Sequence, residues 1–67
     1  MERILELMKV VRERDNEISD YNKNRFAYKV QSDDELIYAI QTKTEMSEEV
    51  QSRFVDYLEE LVSQFLN

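Results

Sequence analysis

The first apolar pattern along the chain has the period of an α-helix. Apolar residues recur at intervals of three and four residues, and Leu7 widens the stripe that they form: Ile4, Leu5, Met8, Val11 and Ile18. This spacing gives a helix one apolar face, which is buried when the helix packs on a core. It predicts an amphipathic helix over residues 2–18.

In the middle of the chain, apolar residues alternate with smaller or polar ones instead. Phe26, Tyr28 and Val30 fall on one side of an extended chain, and smaller or polar residues lie between them. Alternation of this kind is typical of a half-buried strand. Residues 36–44 are rich in β-branched and aromatic side chains, which indicates a second strand. We therefore predict a β-hairpin over residues 26–44, with Phe26 and Tyr28 in the core.

A helical alternative remains open for the second half of this hairpin. Ser32 and Glu35 have the spacing of a capping box, which favours a short helix within residues 33–43. Three apolar residues would line one side of that helix: Leu36, Ile37 and Ile40. A strand at 26–31 would then have no partner for its backbone groups, so the hairpin is the preferred prediction.

The polar segment before the hairpin reads as a turn that also resembles the opening of a calcium loop. Asp20, Asn22 and Asn24 have the Asp-x-Asn-x-Asn spacing of an EF-hand. The resemblance then fails, because Arg25 occupies the glycine position and Gln31 occupies the position of the bidentate glutamate. We predict a turn and no metal site.

The C-terminal pattern gives the strongest prediction, a helix over residues 47–66. Ser47 is suited to cap its start, and two glutamates follow in the first turn. The predicted core positions on this helix are Phe54, Leu58, Leu61 and Phe65. Further apolar residues extend the face over more than half of the circumference, which is wider than one hairpin requires.

These elements define an α+β fold with the order α-β-β-α, in which two helices pack on a β-hairpin in a single domain over residues 1–67. A domain of this size buries little surface on its own. The wide apolar face of the C-terminal helix and the open hairpin edges both favour self-association. We therefore expect a homodimer that completes the fold.

The composition excludes most of the side chains that enzymes commonly use for catalysis. The chain has no His, Cys, Gly, Pro or Trp. It therefore lacks the commonest general base, thiolate nucleophiles and glycine-rich phosphate loops. We expect neither an enzyme nor a cofactor or metal site. No secretory segment and no apolar run of about 20 residues is present, so we expect a cytoplasmic protein without a membrane contact.

The formal net charge of −6 disfavours direct binding to nucleic acid. The predicted C-terminal helix concentrates this charge opposite its apolar side. We name these four residues the acidic stripe: Glu49, Asp56, Glu59 and Glu60. They form a candidate site for a protein partner with a basic surface. A second candidate is an apolar surface for a partner or a second copy, made of Ile37, Tyr57 and Leu66.

One segment carries the opposite charge. Between residues 21 and 31 there are three basic residues and no acidic one, interleaved with Tyr21, Phe26 and Tyr28. Basic and aromatic side chains together can bind single-stranded nucleic acid. Because Phe26 and Tyr28 are also expected to fill the core, this interpretation is the weaker one.

The preferred functional hypothesis is a small acidic, non-enzymatic regulator or inhibitor that binds another protein. By size and composition it resembles accessory proteins of phages and mobile elements, which is an analogy only. The alternatives are a nucleic-acid mimic that blocks a DNA- or RNA-binding protein, a structural assembly subunit, and a weak binder of single strands.

Overall fold

The computed structural model describes residues 1–65, and these residues form helices only. The four α-helices are α1 (Glu2–Glu13), α2 (Asp20–Ser32), α3 (Asp34–Thr42) and α4 (Glu48–Val62), with a short 3₁₀ turn at Asp15–Glu17. No strand occurs in the described part of the chain. The prediction of an α+β fold is therefore wrong, and the protein is an all-α domain of four helices.

The first predicted helix is present but shorter than expected, and Leu5, which was expected on its apolar face, is exposed. α1 ends at Glu13, and Arg14 continues into the 3₁₀ turn rather than into another α-helical turn. The Arg14 guanidinium donates two hydrogen bonds of 2.7 Å to the Glu17 carboxylate, which holds this turn. Ile18 then adopts an extended backbone and is buried, so the apolar pattern continues past the end of the helix.

The predicted first strand is part of helix α2. The Ser19 hydroxyl accepts a hydrogen bond from the Asn22 backbone N–H at 3.2 Å and caps the helix. Phe26 and Val30 are four residues apart and both face the core, whereas Tyr28 lies on the other side of the helix and is exposed. Alternate residues therefore do not share a face, and the expected position of Tyr28 in the core was wrong.

The predicted second strand is helix α3, in agreement with the helical alternative for this segment. The capping box at Ser32 does not form, since Ser32 is the last residue of α2. Asp33 caps α3 instead, and its carboxylate accepts a hydrogen bond from the Leu36 backbone N–H at 3.2 Å. The helix ends at Lys43, which adopts a left-handed conformation with φ 56°.

The predicted C-terminal helix is present as α4 (Glu48–Val62), but it is shorter than the expected 47–66, because residues 63–65 form a turn. Ser47 caps it through a hydrogen bond of 3.2 Å from the Val50 backbone N–H. Three of its four predicted core residues are buried, and Phe65, beyond the end of the helix, is half-buried. α4 packs against α1, α2 and α3. Its wide apolar face is therefore covered within one chain and is no longer evidence for a dimer.

The core lies where these four helices meet. Ile4 and Leu7 of α1, Leu36 of α3 and Val62 of α4 are the largest fully buried side chains. No helix within residues 1–65 is long and apolar enough to cross a membrane.

Candidate functional site

Helix α2 exposes two aromatic side chains on the side that faces away from the core. Tyr21 and Tyr28 are seven residues apart, which is two helical turns, and their exposed fractions are 68% and 73%. They lie beside Asn24, Arg25 and Lys29 along an open groove of about 290 Å³. We call these five residues the tyrosine face.

The position of this face follows from how α2 packs. Phe26 stacks against Phe54 of α4 with ring centroids 6.3 Å apart, and Val30 joins the same core cluster. A helix that turns residues 26 and 30 inward must turn residues 21, 24 and 28 outward. The tyrosines are therefore exposed because the phenylalanine and the valine define the buried side.

Both basic residues of the tyrosine face are already bound to a carboxylate. Arg25 Nη2 lies 2.6 Å from Glu60 Oε1, and Lys29 donates to the other oxygen of the same carboxylate. The Lys29 ammonium, with help from Arg25, holds the pKa of Glu60 below its usual range. The Arg25 guanidinium is also 5.8 Å from the centre of the Tyr21 ring. The face is thus aromatic, and the single charge of Glu60 offsets half of the positive charge of Arg25 and Lys29.

The structure separates the members of the acidic stripe. Glu60 faces α2, as described above, and Glu59 faces α1, where its carboxylate is 3.8 Å from Arg3. Glu49 is 3.9 Å from Arg53 of its own helix. Asp56 is exposed and has no ion-pair partner among residues 1–65. Three of the four predicted binding carboxylates therefore contact cations of the same molecule.

The predicted apolar surface is not a free surface in the described part of the chain. Ile37 and Tyr57 are half-buried and pack against the core. Leu66 lies outside the described residues. The exposed large hydrophobic side chains are found elsewhere, at the start of the chain and on the outer sides of α1, α2 and α3: Met1, Leu5, Tyr21, Tyr28, Tyr38 and Ile40.

Tyr57 contributes to a polar cluster that joins α3 to α4. Its hydroxyl donates to Asp33 Oδ2 at 3.0 Å, and Arg53 donates to both Asp33 oxygens at 2.8 and 3.0 Å. Arg53 also reaches Glu35 at 3.3 Å. The Asp33 side chain is only 8% exposed. The Arg53 hydrogen bonds lower the pKa of Asp33 to about 2, and burial raises the pKa of Tyr57.

This cluster has a structural role. The Asp33 carboxylate caps α3 with one oxygen and binds α4 through Arg53, so every hydrogen-bonding direction is used within the protein. No buried side-chain polar atom in the described residues lacks a partner. Within the same residues, no group of three or more carboxylates is placed to hold a metal ion.

The sequence analysis named Tyr21 and Tyr28 within a basic and aromatic segment, but it did not place them together on one exposed face, for identifiable reasons. Tyr21 was placed in a turn and Tyr28 in the core of a hairpin. The signal that would have found both is the cap at Ser19 followed by the four-residue spacing of Phe26 and Val30. Comparison with protein-family models, with curated proteins and with solved structures finds no match for this chain.

Proposed function

We propose that this chain is a small, non-enzymatic regulator that binds protein through the tyrosine face of α2. The observation that carries the proposal is the exposure of Tyr21 and Tyr28 on one side of one helix, next to Arg25. Tyrosine and arginine are enriched at protein interfaces and among the residues that contribute most binding energy. A cytoplasmic location is part of the proposal, because a fold without cysteine needs no oxidising compartment.

The arrangement of charge supports a protein partner over nucleic acid. Six of the nine basic side chains form ion pairs with carboxylates in the described structure. They are Arg3, Arg14, Lys23, Arg25, Lys29 and Arg53. Binding to phosphates would have to break several of these pairs and overcome the net charge of −6. Aromatic contacts to a protein require neither.

The acidic stripe has a secondary place in this proposal. Asp56 and Glu49 remain exposed on the outer side of α4. Exposed charges of this kind steer encounter with a basic partner surface more than they hold the complex together. A nucleic-acid mimic would bind its target through the acidic stripe alone. Intramolecular contacts to Arg3 and Arg25 already occupy two of the four carboxylates of that stripe.

Affinity capture from the source cells tests the proposal. The wild-type chain, the Tyr21→Ala/Tyr28→Ala variant and a Tyr38→Ala variant would be immobilised side by side. Tyr38 is the matched control, because it is a helical tyrosine that is 63% exposed but lies on α3. We expect proteins identified by mass spectrometry to be retained by the wild type and Tyr38→Ala and lost with the double variant.

The purified partner then supplies the affinity. We expect the double variant to weaken binding at least tenfold and Tyr38→Ala to change it less than twofold. Equal binding of the double variant and the wild type would refute the proposal. Specific, salt-sensitive binding of a labelled single-stranded oligonucleotide through Tyr21 and Tyr28 would also refute it, and would favour the nucleic-acid interpretation of this face.

A further inference from the structure

We propose that Glu60 of α4 determines the specificity of the tyrosine face, because it binds the two cations of that face and so opposes their contact with nucleic-acid phosphates. The inference rests on the proposed function and adds the residue that sets the class of partner. Glu60 contacts the cations of the face but does not line its groove. It therefore acts through Arg25 and Lys29 and not by touching the partner.

The composition of α2 taken alone would suit single-stranded nucleic acid. Residues 21–31 contain three basic residues and no acidic one. Tyr21 and Tyr28 are exposed on the side of the helix that carries Arg25. Aromatic rings stack on bases, and basic side chains contact the phosphates of the same strand. A face that selects protein therefore needs a group outside this segment that opposes contact with phosphate.

Carboxylates from other elements of the fold bind all three basic residues of α2. The Lys23 ammonium donates to Asp15 Oδ2 at 3.0 Å, in the 3₁₀ turn before the helix. Arg25 Nη2 lies 2.6 Å from Glu60 Oε1, and Lys29 donates to the other oxygen of that carboxylate. The folded chain therefore supplies an anion of its own to each cation of this helix.

Glu60 is the carboxylate that controls the tyrosine face. Arg25 and Lys29 line the groove beside the two tyrosines, whereas Lys23 does not. Because one carboxylate bridges both groove cations, a phosphate that approached either of them would come close to a like charge, which opposes binding. Arg25 also lies 5.8 Å from the centre of the Tyr21 ring. A protein partner could therefore cover the tyrosines without displacing Glu60.

The exposure of these ion pairs sets the size of the effect. The side chains of Arg25 and Glu60 are 48% and 44% exposed, so solvent screens their interaction. One positive charge also remains on the face, since Arg25 and Lys29 share a single carboxylate. We therefore expect that loss of the Glu60 charge strengthens nucleic-acid binding severalfold and does not create a tight site.

The test compares three variants that each remove one negative charge. Glu60→Gln keeps the size of the side chain and frees both cations of the groove. Asp56→Asn lies on the same helix, and Asp56 has no ion-pair partner among residues 1–65. Asp15→Asn frees Lys23, a basic residue of α2 outside the groove. The probe is a fluorescein-labelled oligothymidylate, and circular dichroism checks that each variant keeps the wild-type helix content.

Fluorescence anisotropy at low salt should show that Glu60→Gln binds the oligothymidylate at least fivefold more tightly than the wild type. Asp56→Asn and Asp15→Asn should differ from the wild type less than twofold. Adding Tyr21→Ala/Tyr28→Ala to Glu60→Gln should abolish the gain, because the stacking surface is lost. For two freed cations, the logarithm of the affinity should fall by about 1.4 for each tenfold rise in salt.

The outcomes separate this inference from the proposed function. It is overturned by an equal gain in either control, by a gain that survives the loss of both tyrosines, or by no binding of any variant. In these cases the proposed function still stands on the capture experiment. Oligothymidylate binding by the wild type that equals that of Glu60→Gln and is lost with Tyr21→Ala/Tyr28→Ala would overturn both.

Discussion

The tyrosine face of α2 and the acidic stripe of α4 are both exposed sides of amphipathic helices, but they differ in what they offer to a partner. The acidic stripe consists of carboxylates, and the exposed residue Ser52, between Glu49 and Asp56 on the same helix, is small and polar. The tyrosine face holds two aromatic rings beside an arginine that shares the carboxylate of Glu60 with Lys29. One surface is suited to contact with water, whereas the other leaves apolar area that a partner would bury.

This difference shows why charge in a sequence is a weak indicator of a site. Formal charge counts Glu59 and Glu60 as binding groups, but the fold places them against Arg3 and against Arg25 and Lys29. Exposed aromatic area is the stronger indicator, because large apolar side chains on a small domain remain costly until they are covered. The residues to test are therefore those that the fold leaves without a contact.

The largest expected effect is on the free energy of unfolding, and it distinguishes the buried side of α2 from its exposed side. Phe54→Ala removes the ring beneath Phe26 on the buried side, and it should lower the free energy of unfolding by about 3–5 kcal/mol. Tyr28→Ala, on the exposed side, should change it by less than about 0.5 kcal/mol. Urea unfolding followed by circular dichroism measures both. A comparable loss for the two variants would show that the inner and outer sides of α2 are misassigned.

The next largest effect on stability is expected at the polar contact between α3 and α4. Asp33→Ala removes both the cap of α3 and the contact to Arg53, and we expect it to cost about 2 kcal/mol. Asp33→Asn keeps a capping oxygen and should cost less. Thermal unfolding compares them. An equal loss for Ala and Asn would assign the effect to the ion pair with Arg53 rather than to the cap.

Asp33 also predicts a pH dependence. Its pKa is about 2 in the folded protein and 3.8 for the ordinary carboxyl, so the folded state favours the ionised form. The resulting stability is fully present above pH 4 and is lost as the pH falls from about 4 to about 2. The wild type should lose more stability over this range than Asp33→Asn. Identical pH profiles for the two proteins would contradict the assignment.

Partner binding gives the next prediction and bears directly on the comparison. The Tyr21→Ala/Tyr28→Ala variant should weaken the affinity for the captured protein at least tenfold in isothermal titration calorimetry, because it removes the aromatic area at the contact. Asp56→Lys on the acidic stripe should change this dissociation constant less than threefold. A larger effect from Asp56→Lys would assign the contact to the acidic stripe.

The smallest effect distinguishes two members of the acidic stripe. Glu60→Gln breaks an exposed pair with Arg25 and Lys29 and should destabilise the fold by about 0.5 kcal/mol at low salt, with a smaller loss at high salt. Asp56→Asn should have almost no effect on unfolding. Equal results for the two would show that the contacts of Glu60 contribute nothing measurable in solution.

The sequence predicted α1 and α4 because each has a long apolar stripe at helical spacing, and α4 has an unambiguous cap at Ser47. It failed between them for a physical reason. Without glycine or proline, the starts of α2 and α3 are set by side-chain caps at Ser19 and Asp33, which are weaker signals than a backbone break. The β-branched and aromatic composition of these segments then favoured strands, and packing on α4 overrode that propensity.

The acidic stripe and the tyrosine face were affected differently by this error. The stripe lay on the correctly predicted helix α4, so its exposed side was identified, but its ion pairs across to Arg3 and Arg25 depend on tertiary contacts that no local pattern encodes. The tyrosine face lay on a segment assigned to the wrong element. With a period of two, Tyr28 is grouped with Phe26; with a period of 3.6, the two are on opposite sides.

The most direct test of the central claim, that α2 and not α4 carries the interaction, is a titration of the uniformly ¹⁵N-labelled chain with the captured protein, followed by two-dimensional ¹H–¹⁵N NMR spectra. We predict that the largest amide shifts on binding fall at Tyr21, Asn24, Arg25 and Tyr28, while residues 48–60 change little. Shifts concentrated along the acidic stripe would contradict the account.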